Sequence, residues 1–158
     1  MKTLKTALFY FVQFTWGLLP NIAGFLYYLV LRRKYETGRY RHAFVVYIPK
    51  ENFGGMSMGV FILIGTKLQP DVYHDILIHE YGHTIQVLIL GPLAAILSGL
   101  PSSLWGNFPP LVRYRKKRNI SYYWLFCEGW ANLWGIWWTK EKFQSKLFLE
   151  TGRFGKPM

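Results

Sequence analysis

From Ala7 to Leu31 the chain runs 25 residues without a charged side chain. That one stretch restricts the fold more than any other feature. About 20 apolar residues in a helix cross the hydrocarbon core of a bilayer, so this run is long enough to span one. Lys2 and Lys5 precede it and Arg32-Arg33-Lys34 follow it directly. A cleaved signal peptide has a shorter apolar core and a small-residue cleavage site, and neither is seen here. We therefore read residues 1–34 as a retained N-terminal hydrophobic membrane helix. Leu19-Pro20-Asn21 interrupts its middle, which leaves a kinked helix and a re-entrant hairpin both open. The competing reading is a buried core helix of a soluble protein.

The remainder, residues 35–158, has room for one core and is expected to form one domain. Aromatic residues make up 19% of the chain, a load that suits a membrane interface. Mean hydropathy is still only +0.10, because 19 Lys and Arg against 8 Asp and Glu give a net charge of +11. Such a balance suits either nucleic acid or an anionic membrane surface. The cations cluster beside apolar stretches, at Arg32 to Lys34 and Arg113 to Arg118. A nucleic-acid binder more often spreads its charge along one face. Membrane lipids are thus an expected partner and nucleic acid is not. With Cys127 as the single cysteine, no internal disulfide can form.

The pattern along the chain predicts an α+β fold. Ala43 to Ile48 is β-branched and aromatic and is closed by Pro49, which reads as a strand. After a turn-rich segment with Gly54-Gly55, Met58 to Ile64 reads as a second strand, giving a hairpin or small sheet. Asp71 is placed to cap a helix over 72–90, ended by Gly91-Pro92. Residues 85–106 carry no charge and are expected to form an apolar, membrane-associated element. Residues 107–119 read as a basic loop. Ser121 to Lys140 reads as a final helix with a stripe of Trp, and the tail loosens near Gly152 and Gly155.

The chemistry lies in His79-Glu80-Tyr81-Gly82-His83. Positions i and i+4 of a helix share a face, so the two imidazoles can reach one zinc ion (Zn2+) together. The adjacent Glu80 stands beside the same site, where it can take a proton from a zinc-activated water as general base. A catalytic zinc site needs a third protein ligand and keeps one position open. His74 lies on another helix face and His42 at a strand start. Glu128 is the better candidate, being the lone acid between Glu80 and Glu141, inside an apolar helix where an unpaired carboxylate is costly.

The HExxH motif followed by a Glu on a second helix resembles the gluzincins, the thermolysin-like zinc metallopeptidases. That second helix often reads Glu-x-x-Ala or Glu-x-x-x-Asp, and Glu128-Gly129-Trp130-Ala131-Asn132 matches the Ala and offers Asn132 in place of Asp. The resemblance implies a minimal zincin-like core: small sheet, active-site helix and glutamate helix. It implies that His79, His83 and Glu128 hold zinc, that Asn132 orients His79 by a hydrogen bond, and that peptides or proteins are the substrate. It also implies that a strand beside the active-site helix, here within 55–64, pairs its free edge with extended substrate. The string from His79 to Gln86, with Leu90-Gly91-Pro92-Leu93 and Gly99-Leu100-Pro101-Ser102, is similar to a group of small bacterial HExxH proteins.

Weaker candidates are Asp75, as a dipole-favouring or supporting acid, and Tyr122 and Tyr123, as interfacial or oxyanion-stabilising groups. The positive-inside rule puts both basic runs, and with them the site, on the cytoplasmic side of the membrane. Two alternatives remain. An intramembrane protease of the site-2 type takes a late Asp ligand, and no Asp follows Asp75. A membrane protein with a structural zinc site or an interaction role is the other.

Overall fold

The computed structural model describes residues 2–150, so Gly152 and Gly155 lie outside the described residues. The chain is α+β, with a four-stranded mixed sheet and seven α-helices among those residues.

The long apolar stretch forms two helices, not one. Helix α1 (Lys2–Thr15) and helix α2 (Leu18–Leu31) meet at 95°. No single helix among the described residues is long and apolar enough to cross a membrane. The break falls at Gly17 and not at Pro20, since Pro20 sits in the first turn of α2, where the missing N–H has no helical partner anyway. Two buried amides hold the bend. Asn21 Nδ2 donates to the Gln13 and Gly17 carbonyls at 2.9 and 2.8 Å, and Asn21 Oδ1 accepts from Val60 N at 2.8 Å. Gln13 Nε2 donates to the Thr84 carbonyl at 2.9 Å. A straight span would leave both amides in lipid without partners, so the polar pairing decides the shape.

Strands β1 (Thr37–Tyr40), β2 (Ala43–Ile48), β3 (Gly55–Met58) and β4 (Phe61–Gly65) run in the order β1-β2-β4-β3. Strands β2 and β4 are parallel, and both outer pairings are antiparallel. The expected second strand is therefore a hairpin. Gly59 turns it with φ +62, at the first position of a two-residue turn where glycine is favoured. Every residue of β4 is buried, because helices cover both faces of the sheet. Phe61 and Leu63 face α2, with Tyr28 against Phe61 at 5.4 Å. Val45, Ile62 and Ile64 join the main core with Tyr81 and Ile85 of helix α3 (Pro70–Leu90).

Helix α3 starts with Gln69 as N-cap and Pro70 in its first turn, so Asp71 sits inside the helix and not at the cap. It ends at Gly91, whose φ of +57 lies against the Trp16 ring. Residues 92–107 then form a short π-helical turn (Ala95–Gly99) and helix α4 (Leu100–Asn107), which present Ile96, Leu97, Leu100 and Leu104 outward. The expected basic loop is largely helix α5 (Pro109–Lys117): Pro109 opens it and Arg115, Lys116 and Lys117 favour its C-terminal dipole. The expected last helix is split. Ser121 caps a 3-10 turn (Tyr122–Trp124), accepting from Tyr123 N at 3.2 Å, and helix α6 (Phe126–Thr139) follows.

Helix α7 (Lys146–Glu150) is docked through the two residues just before it. Asp75, fully buried on α3, accepts from Ser145 N and Ser145 Oγ, both at 2.7 Å, and from Gln144 N at 2.9 Å. Asp75 thus ties down the C-terminal segment, a role that neither sequence reading gave it. The Phe148 ring reaches Tyr123 at 4.4 Å.

Candidate metal centre

Helices α3 and α6 pack face to face, and two glycines set their spacing. A Cβ on Gly82, inside the HExxH motif, falls within the Ala131 backbone of α6; a Cβ on Gly135 falls on the Ile78 carbonyl of α3. Backbone meets backbone at both points. This closeness carries Glu128 of α6 to the two imidazoles of α3.

Glu128 Oε2 lies 3.1 Å from His79 Nε2 and 3.5 Å from His83 Nε2. The three ligand atoms all fall within 4.8 Å of one another. Bonds of about 2.0–2.2 Å in a tetrahedron separate the ligands by about 3.3–3.6 Å, close to the two distances found. Glu128 is fully buried and its Oε2 makes no hydrogen bond among the described residues. A buried orphan carboxylate oxygen facing two imidazole nitrogens is what a cation site requires. The group could hold a metal ion.

The outer hydrogen bonds point both imidazoles inward. Gln86 Nε2 donates to the Cys127 carbonyl at 2.6 Å, which fixes the amide with Oε1 toward His83. His83 Nδ1 then donates to Gln86 Oε1 at 2.7 Å, and the Ser98 hydroxyl donates to the same oxygen. His79 Nδ1 lies 2.7 Å from Asn132 Oδ1 and donates to it. With both Nδ1 atoms donating outward, both Nε2 atoms are left facing Glu128, where each can ligate a metal once it carries no proton. Gln86 and Ser98 were not singled out by sequence reading, although Gln86 stands one helical turn beyond His83. We expect Gln86→Leu to weaken metal binding by about 10–100-fold, read by competition with a chromogenic chelator.

Burial alone would push the Glu128 carboxyl up; His83 and His79 outweigh it and hold the group well below the usual carboxylate range. Burial lowers His83, but the Glu128 carboxylate overrides it and pushes the imidazole up to about 9. Glu80, 5% exposed, is raised by burial, partly offset by His79 and His83. Its carboxyl lies over Gly55 of β3, where a Cβ would stand 2.6 Å from Glu80 Oε1. Only glycine leaves that space. His79, Glu80 and His83 line a cleft of about 740 Å³, with Tyr122, Tyr123 and the edge strand β3 in its wall.

The other histidines lie elsewhere. His42 bonds to the Tyr81 hydroxyl at 2.7 Å, and His74 bridges Asp75 and Glu141 at 3.2 and 3.0 Å. Tyr122 shares a hydrogen bond with Ser102 at 2.8 Å, and Tyr123 sets its ring edge-on to His79 at 5.1 Å. Comparisons with family models, curated proteins and solved structures find no match to this chain.

Proposed function

We propose that this chain is a zinc metallopeptidase of membrane surfaces, in which His79, His83 and Glu128 hold the metal and Glu80 is the general base. The observation that carries the reading is the buried, unpartnered Glu128 Oε2 converging with two imidazole Nε2 atoms beside Glu80 in an open cleft. Two imidazoles and one carboxylate form the donor set of catalytic zinc, with room left for water and substrate. Zinc bound there supplies Lewis acidity, lowering the pKa of coordinated water toward ~7 and polarising a scissile carbonyl. Glu80 takes the proton of the attacking water on its carboxylate and passes it to the leaving amide nitrogen. Its burial, which raises its affinity for a proton, suits it to hold that proton between the two transfers. Asn132 and Gln86 keep His79 and His83 in the required tautomer. Strand β3 is a sheet edge in the cleft wall, where an extended peptide can pair with its backbone.

The membrane part of the proposal rests on the outward faces of α1 and α2. Leu4, Leu8, Phe11, Leu19 and Val30 are each at least 60% exposed, more apolar surface than a water-facing pair presents. Bent at 95°, the pair suits lying within one leaflet. The basic runs beside the apolar segments support an anionic, cytoplasmic leaflet as its location.

The test is Glu80→Gln. We expect the variant to retain about one zinc per chain and to lose peptide cleavage by about 10²–10⁴-fold. A purely structural zinc site would show no cleavage in the wild type and no change in the variant.

A further inference from the structure

The cleft has a chemical peculiarity for a chain of net charge +11. Among the described residues, no Lys, Arg or Asp is in its wall, and Glu80 is its single carboxylate. Apart from the site itself, the polar groups there are neutral, Ser57, Ser103 and Asn107 among them, and none offers a countercharge to a charged substrate side chain. One lip is α2, through Leu19, Pro20 and Ala23; the opposite lip is the π-helical turn and α4, through Ala95, Gly99 and Ser103. Both lips belong to elements whose outer surfaces are apolar. Ile22, Phe25 and Leu26 stand out from α2, and Ile96, Leu97 and Leu100 from the other side, each more than 40% exposed. Trp16 Nε1, in the bend before α2, donates to the Ile89 carbonyl near the end of α3 at 3.2 Å. The elements that line the cleft on these two sides thus carry apolar outer surfaces.

We infer that the cleft takes an extended apolar segment of a membrane-embedded polypeptide, admitted from the bilayer between α2 and the π-turn–α4 lip. This rests on the peptidase reading above and names its substrate class. A charged residue entering such a cleft would lose its water without gaining an opposite charge. A polypeptide is favoured over a lipid chain because β3 lines the cleft as a sheet edge, and its unpaired backbone groups need N–H and C=O partners that an acyl chain lacks.

The test measures binding by the full-length Glu80→Gln protein, loaded with zinc, on vesicles of phosphatidylglycerol and phosphatidylcholine. The probes are synthetic single-span peptides with either Ala/Leu or Lys/Glu residues next to the span, and the same segments without a span. We expect the apolar spanning peptide to bind tighter than the charged one by about 10-fold or more, and tighter than its span-free form. Ala23→Trp on one lip and Ser103→Trp on the other should each abolish that preference at unchanged zinc content. Equal binding of the charged segment, equal binding of the span-free segment, or displacement by lipid alone overturns the inference. The two levels separate cleanly. Preferential binding without cleavage by the wild-type protein removes the peptidase reading and leaves the occupant. Glu80-dependent cleavage of soluble, charged peptides without a bilayer preference does the reverse.

Discussion

Glu128→Gln should strip the site of metal and also lower the stability of the metal-free fold at neutral pH. The substitution keeps the shape of the side chain and removes its charge. Two neutral imidazoles and an amide oxygen are a poor set for a divalent cation, so affinity should fall by more than the ~100-fold upper range for losing an outer hydrogen-bond partner. In the metal-free protein, Glu128 is a fully buried anion neutralised by imidazolium. Removing one partner of a buried pair leaves the imidazolium without its carboxylate, and the stabilisation that raises His83 is lost. Both measurements should therefore fall together: metal content after dialysis collapses, and Tm in chelator drops at pH 7. Wild-type zinc affinity in the variant would show that Glu128 is not a ligand. The same chemistry sets a pH dependence. The metal-free His83, pushed up to about 9, carries a proton at pH 7. Its raised value stabilises the metal-free fold below the ordinary histidine pKa of about 6.5, and that stabilisation is lost as pH rises through about 9. Zinc must displace this proton, so uptake at pH 7 should release about one proton, declining toward zero above pH 9, as titration in buffers of different ionisation enthalpy would show.

Gly82→Ala is expected to damage both fold and site. The added methyl lands on the Ala131 backbone, which cannot rotate away as a side chain could. Regaining ordinary contact at about 3.5 Å forces α3 and α6 apart by about 1 Å or more. Overpacking of this kind costs about 1–3 kcal/mol, occasionally more, or about 2–12 °C in Tm for a chain of this size. The separation also exceeds the ~0.5 Å tolerance of a preorganised site, so zinc affinity should fall with stability. Gly135→Ala, set against the Ile78 carbonyl, should behave alike, whereas Gly99→Ala, where an added Cβ would stand 3.8 Å from the Ala94 carbonyl oxygen, should be silent in Tm. Equal Tm for Gly82→Ala and wild type would remove the close helix contact from the account of the site.

What could be read from the sequence was what is local. The i, i+4 spacing of His79 and His83 puts both rings on one helix face whatever the rest of the chain does, and Glu128 announces itself as a lone acid in an apolar helix. Strand β2 and helix α3 follow from residue type and punctuation alone. The features that escaped are decided by distant partners. The turn at Gly17 depends on Gln13 finding Thr84 and Asn21 finding Val60, and no local pattern encodes those pairings. Asp75 reads as an ordinary first-turn acid until Ser145 arrives at its carboxylate. Helix α5 was hidden by its own Pro109-Pro110 and its run of cations, which resemble a loop until the flanking helix is seen. Gly82 looked like an interchangeable position of the motif, because the helix that needs its missing side chain lies about 50 residues downstream.

The Gln13 and Asp75 contacts have a consequence for biosynthesis. Both ends of the described chain grip one helix: Gln13 reaches Thr84 across 71 residues, and Ser145 reaches Asp75 across 70. Contacts of such separation close slowly and late. While the ribosome still holds residues 126–148, α3 has neither the glutamate helix nor its C-terminal clamp, and His79, Glu80 and His83 have no carboxylate opposite them. The group that could hold a metal is therefore complete only at the last stage of synthesis, and a nascent chain pausing before Glu128 carries two of its three candidate ligands.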